Sequence, residues 1–239
     1  MHRDALGPVL LADERHGPLP ALLLALTVVT GLVDAVSILS LGRVFVANMT
    51  GNVVFLGFAL AGAPGFSLGA SLSALAGFLV GAGVGGRVGR RLRWHRGRLL
   101  LTGASGELLC VAIGLAIVAS APRHLGSAVQ DGTAAVVAVA LGIQNAVVRV
   151  LAVPDLTTTV LTLTLTGLAA DVRQGFTPAS LRRLLAVATM FAGAATGAAL
   201  VLNIGPAAAL SAATGVLALV VAAVWALVRV DRAWFAPPN

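Results

Sequence analysis

From residue 20 onward the chain is a succession of apolar runs, and several approach the ~20 residues that an α-helix needs to cross a bilayer. Eight stand out: 20–41, 44–62, 66–86, 99–120, 132–152, 155–170, 184–204 and 206–228. Hydrophobic residues make up 58% of the chain and charged residues 10%, with a mean hydropathy of +0.98. A soluble domain of this length would need far more charge to cover its surface. In lipid the backbone must satisfy its own hydrogen bonds, so runs of this kind read as helices. The expected fold is an all-α, multi-pass membrane protein. Its 28 glycines suit helices that pack closely in lipid.

The net charge of +7 would fit a nucleic-acid partner, but Tyr is absent and Trp scarce, so platforms for stacking bases are missing. Positive charge on cytoplasmic loops explains it instead. No nucleic acid is expected as a partner. Cys110 is the single cysteine, so there is no internal disulfide and no thiolate metal cluster. His2, His16, His95 and His124 all fall in tails or loops. No Ser/His or paired-Asp arrangement, zinc motif or P-loop appears. No catalytic residue, metal or cofactor is expected, and an enzyme is the weakest reading. The first run is too long for a signal-peptide core and contains Asp34.

Two runs differ from the rest. The run 44–62 starts almost directly after the first span, and NMTGN lies inside it. Asn48, Thr50 and Asn52 are polar groups in an apolar setting, where each needs a partner. Gly51 between them is a hinge candidate. The run 155–170, DLTTTVLTLTLTGLAA, holds six threonines and is short for a span. Asp155 after Pro154 would suit a helix N-cap, with Thr158 in the first turn. Both runs are expected as short membrane-embedded segments beside about six transmembrane helices.

The two runs sit at matching places in an internal repeat. Gly31–Val36 aligns with Gly142–Val147, so Asp34 falls on Asn145. Asn48–Thr50 falls near Thr157–Thr159, Ser67-Leu68 on Ser180-Leu181, Phe78 on Phe191, and Ser105-Gly106 on Thr214-Gly215, at nearly constant spacing. Gly77, Gly81 and Gly85 recur every fourth residue, and Ala194 and Ala198 match the last two; close helix packing is their expected role. The repeat divides the chain into a tail (1–19), a first membrane repeat (20–120), a connecting loop (121–131), a second repeat (132–230) and a tail (231–239). With six spans and both termini inside, every arginine except Arg43 and Arg123 lies on the cytoplasmic side, including the cluster from Arg87 to Arg98. If all eight runs crossed, the arginines would split evenly; if 44–62 alone crossed besides the six, they would split 13 to 3, and it is the repeat rather than the charge that counts against that arrangement. Three crossings per half invert the second half relative to the first, an arrangement recurrent among transporters and channels. The location expected is the bacterial inner membrane.

The run GLVDAVSILSLGRVFVANMTGNVVFLGFALAG and the run GIQNAVVRVLAVPDLTTTVLTLTLTGLAADV together resemble the YoaK family of bacterial membrane proteins. The resemblance covers nearly the whole chain. The family has no assigned function, so it implies membrane residence and little else. The pattern would place an aromatic after Ser37, where this chain has Ile38.

The leading reading is a small secondary transporter or channel for a polar solute or ion. Its site would lie between the two short segments and use Asp34, Asn48, Thr50, Gly51, Asn52, Asn145, Thr157, Thr158 and Thr159. Asp34 and Glu107, acids within spans, are the candidates for coupling to an ion gradient. The alternative is a non-catalytic scaffold or accessory subunit. In that case the amides and hydroxyls only join helices, the threonines bond their own backbone, and Asp34 makes a structural contact, for which Arg149 is one partner to consider. The bilayer is the certain partner, and self-association is left open.

Overall fold

The computed structural model describes residues 16–122, 125–159, 161–171 and 177–230, with the backbone alone at 163, 170, 171 and 178. Most of the N-terminal tail, the C-terminal tail, Arg123, His124 and Arg173 lie outside the described residues. Eight helices follow in order: α1 (Leu19–Ser40), α2 (Met49–Leu60), α3 (Leu68–Leu92), α4 (Arg96–Ser120), α5 (Ser127–Leu151), α6 (Thr162–Asp171), α7 (Pro178–Asn203) and α8 (Pro206–Val230). Six of them, all but α2 and α6, are long and apolar enough to cross a membrane. Among the described residues there is no strand.

α1 and α5 are the most buried helices, and the other four long helices surround them. α1 packs chiefly on α7 and α8, and α5 chiefly on α3 and α4; α4 and α8 also meet. The tightest seams run through glycine. A Cβ on Gly77 or Gly81 of α3 would collide with the carbonyl of Ala135 or Val139 on α5, and one on Gly142 of α5 with Phe78 in return. On the other seam, a Cβ on Gly193 would strike the carbonyl of Val28, one on Gly197 would crowd Leu32 and Ala35, and one on Gly31 would meet Met190 and Ala194. Between helices in lipid there is little hydrophobic driving force, so close backbone approach supplies the contact. The interlocking residues are Gly193 and Gly197, one position before the Ala194 and Ala198 picked out by the sequence pattern. Likewise Met190, not Phe191, stands against Gly31 as Phe78 stands against Gly142, and Phe191 is exposed.

The long helices begin with recognisable caps. Ser67 accepts the Ala70 N–H at 3.2 Å to start α3. Thr177 and Ser180 form a capping box at the start of α7, so Ser180 is its third residue rather than the counterpart of the Ser67 cap. α6 begins at Thr162, and Asp155 is not its N-cap: Asp155 has φ 65° and its carboxylate pairs with Arg183.

α2 and α6 are peripheral, α2 packing on α3 and α6 on α7. α2 has 12 residues and so is about 18 Å long. A Cβ at Gly65 would come within 2.8 Å of the Arg43 guanidinium, so the segment between them turns back on itself. Gly51 lies within α2 and is no hinge. It leaves room for the ring of Phe45, which a Cβ would strike at 2.6 Å.

Candidate functional site

Two irregular segments, 41–48 and 152–159, interrupt the helical pattern, each immediately after a central helix. Irregular backbone inside such a protein survives only where polar groups receive it. The first segment is received by Asp34 and Asn52. Asp34, six residues before the end of α1, accepts the Val46 N–H at 3.4 Å, and the Ala47 amide also faces it. Asn52, 1% exposed, accepts the Phe45 N–H at 2.8 Å and returns a hydrogen bond to the Phe45 carbonyl. Both ends of that amide are spent on the chain itself. Asn48 precedes α2 without a side-chain capping bond, and Thr50 is exposed. Phe45, Phe55, Phe58 and Phe66 stack into one aromatic cluster over this segment, with centroids 5.1 to 6.4 Å apart.

The second segment is received by Asn145 and Gln144 of α5. Asn145 Oδ1 accepts the Thr159 hydroxyl at 2.7 Å, while its Nδ2 donates to the Leu141 carbonyl at 3.0 Å. One end of the Gln144 amide lies 3.0 Å from Thr30 Oγ1 and 2.8 Å from Thr158 Oγ1. Its other end lies 2.5 Å from Glu107 Oε1. These four side chains come from α1, α4, α5 and the segment itself, and none is more than 3% exposed. The segment carries three non-glycine residues with positive φ: Ala152 at 50°, Asp155 at 65° and Thr158 at 61°. For a β-branched residue such a conformation costs roughly 1–3 kcal/mol and persists only where surroundings enforce it.

Beside this segment lies a cavity of about 850 Å³, bounded by α3, the last turns of α5 and residues 152–159. Phe78 and Ala82 make one wall, and Asn145, Thr157, Thr159 and Arg149 supply its polar groups. Arg149 therefore faces the cavity and does not reach Asp34.

The candidate residues thus fall into two groups. Asp34, Asn48, Thr50, Gly51 and Asn52 gather around 41–48; Asn145, Thr157, Thr158 and Thr159 gather around 152–159. α2 and α6 do not touch each other, so no single site forms between them. The groups approach through the core instead, where Thr30, one turn before Asp34, meets Gln144, beside Asn145. Glu107 is wholly buried and belongs with the second group. Sequence reasoning missed Thr30 and Gln144. Gln144 was visible: it stands where the aligned first half has Val33, a polar residue replacing an apolar one inside a span. Thr30 gave no signal, since a threonine in a helix ordinarily bonds its own backbone, as Thr30 also does to Leu26. Among the described residues no group of three His, Cys, Asp or Glu side chains could hold a metal ion.

A 39-residue stretch is 56% identical to the UPF0700 transmembrane protein YoaK of Bacillus subtilis (strain 168). That stretch is 16% of this chain and 17% of that protein, so the chain aligns with under a fifth of its relative's length. No solved structure matches. The apolar helices and this transmembrane relative make the chain a multi-pass membrane protein. The family described as "Protein of unknown function (DUF1275)" matches residues 22–223, and this chain is a member of it.

Proposed function

We propose that this protein is a small secondary transporter or channel for a polar solute or ion, built from two inverted repeats in the bacterial inner membrane. One observation carries the reading. At matching positions of the two central helices a polar side chain, Asp34 or Asn145, receives an irregular segment, and the second of these segments walls a cavity. Broken elements held by polar groups near the middle of a helical bundle are where transporters bind their cargo.

The repeat is supported by packing. The Gly81–Val139 contact is matched by Gly193–Val28, Gly85–Ile143 by Gly197–Leu32, and Gly142–Phe78 by Gly31–Met190. Six spans with the arginine cluster at 87–98 inside favour cytoplasmic termini and a second half inverted relative to the first. In this reading 41–60 and 152–171 enter from opposite faces without crossing. Glu107, buried beside the cavity segment, is the better placed of the two coupling acids, because Asp34 is engaged by the chain's own amides.

The test is flux in proteoliposomes. Pyranine would report protons, and osmotic shrinkage in urea, glycerol and glycine would report small polar solutes. At least one should cross faster than in empty liposomes, and Asn145→Leu should slow it tenfold or more, about 1.4 kcal/mol in barrier. If none crosses faster, the transport reading fails and a scaffold takes its place. Single cysteines replacing Ala63 and Arg93, in a Cys110→Ala background, should label from opposite sides; labelling from one side overturns the topology.

A further inference from the structure

α3 and α5 run in step. Gly77, Gly81, Gly85 and Gly89 meet Ala135, Val139, Ile143 and Val150 in turn, so the two helices are parallel and their last turns lie at one level. The cavity beside them therefore has two different ends. Phe78 lies level with Gly142, near the middle of both helices. Gly86 and Arg149 lie roughly 10–12 Å further along, at the end that carries the arginine cluster. Trp94 follows α3 at that end, 67% exposed, with the Arg93 guanidinium 4.5 Å from its ring centre. In a multi-pass membrane protein an exposed Trp among arginines marks the depth of the lipid headgroups.

Charge and apolar surface are divided between these ends. The walls are chiefly apolar, from Phe78 and Ala82 on α3 to Val153 and Leu156 on the segment. Asn145 and Thr159 bond each other. Among the described lining residues Arg149 is the only charged one. A second guanidinium reaches the same end: Arg90 Nη1 lies 4.0 Å from where a Cβ on Gly86 would sit, and Gly86 lines the cavity. The acids whose side chains are described are engaged elsewhere, Asp34 by Val46, Glu107 by Gln144, Asp155 by Arg183, and Asp131 beside Gly69. The cavity opens on the outside of the bundle, where Arg149 and Ala152 are exposed and Val150 is 40% exposed.

We propose that this cavity is a binding site for an anionic phospholipid, its phosphate held by Arg90 and Arg149 and an acyl chain lying along Phe78, Ala82 and Leu156. A guanidinium matches a phosphate bidentately, and basic pockets between membrane helices at headgroup depth suit anionic lipid heads. An orientation signal needs arginines only near the helix ends; it does not need two of them at the mouth of an apolar cavity that lacks an acid. The apolar wall selects the source of the phosphate, because a free anion would leave it against water while a lipid covers it. The chain gains little on leaving other lipid tails, so the headgroup charge decides which lipid is held. The site goes beyond the transport reading and does not need it. Lipid and solute would compete for the same space, so the two are measured apart.

The test is native mass spectrometry of the delipidated full-length protein, titrated in detergent with phosphatidylglycerol or with phosphatidylcholine of the same chains. One phosphatidylglycerol should bind in preference to the zwitterion. Arg149→Gln or Arg90→Gln should each weaken it about fivefold, and both together about 30-fold. Arg93→Gln makes the same change of charge outside the cavity and should leave the affinity as it was. Ala82→Phe fills the apolar wall with every charge kept and should also weaken binding. An excess of inorganic phosphate should not displace the lipid. Equal binding of the two lipids, equal losses in Arg93→Gln and Arg149→Gln, or displacement by phosphate overturns the site. If the arginine variants do not fold, Ala82→Phe decides: unchanged affinity there also overturns it. No solute is present, so the outcomes separate. Lipid binding without flux leaves the site standing and sinks the transport reading, and flux without lipid preference does the reverse.

Discussion

Asp155 and Arg183 meet at 2.7 Å, carboxylate to Nε, and tie the cavity segment to the second turn of α7. The guanidinium of Arg183 also lies where a Cβ on Gly167 of α6 would sit. One arginine thus anchors both the irregular segment and the short helix that follows it.

Asp155→Asn removes this anchor. Each side chain is 20% exposed, so the loss in stability should be modest, about 1 kcal/mol. Amide exchange should rise at 152–159 and in α6, with α1 and α5 unchanged. The charge-swapped pair, Asp155→Arg with Arg183→Asp, should restore part of the protection. An even rise across all helices would show that the pair supports the whole bundle rather than the segment.

The glycine seams predict opposite outcomes at two positions. Gly81→Val drives a branched side chain into the Val139 carbonyl; overpacking of this kind costs about 1–3 kcal/mol, more against backbone. The protein should lose its monodisperse peak on size exclusion or melt many degrees lower. On α8, a Cβ added at Gly215 would meet nothing within 4 Å, and Gly215→Ala should be neutral or stabilising by up to ~1 kcal/mol. Equal effects at the two positions would remove the packing argument.

Asn52 distinguishes a lock from a ligand. Asn52→Leu leaves the Phe45 N–H and carbonyl without their partner, a cost of about 1–3 kcal/mol. Thermal stability should fall with or without any solute, while Thr50→Ala, on the exposed side of the same helix, should leave it unchanged. If Asn52→Leu melts like the parent, the amide does not hold the segment.

The spans were legible because length and hydropathy alone specify them: all six long helices lie where the apolar runs do. Asp34 and Asn145 were legible too, as polar residues inside apolar runs. The place of Gly193 and Gly197 in the seam was not, since neighbouring Gly and Ala residues are both small enough to offer a close contact. Nor was the start of α6. Asp155, Pro154 and the threonines make a good helix start, and Arg183, distant in sequence, recruits Asp155 instead. The buried junction was half legible: Glu107 and Thr158 stood out as polar residues, but the amide that joins them lay one position from a residue that drew attention for its symmetry.

The two glycine seams join α1 to α7 and α3 to α5, so each pairs one of the first four helices with one of the last four. A ribosome making this chain must therefore release α1 into the membrane long before its partner exists. Until α7 emerges, the backbone around Gly31 and Val28 faces lipid or an insertion chaperone. The seam closes only near the end of synthesis. Severing the chain between α4 and α5 should yield two fragments that are degraded when made singly and recovered when made together.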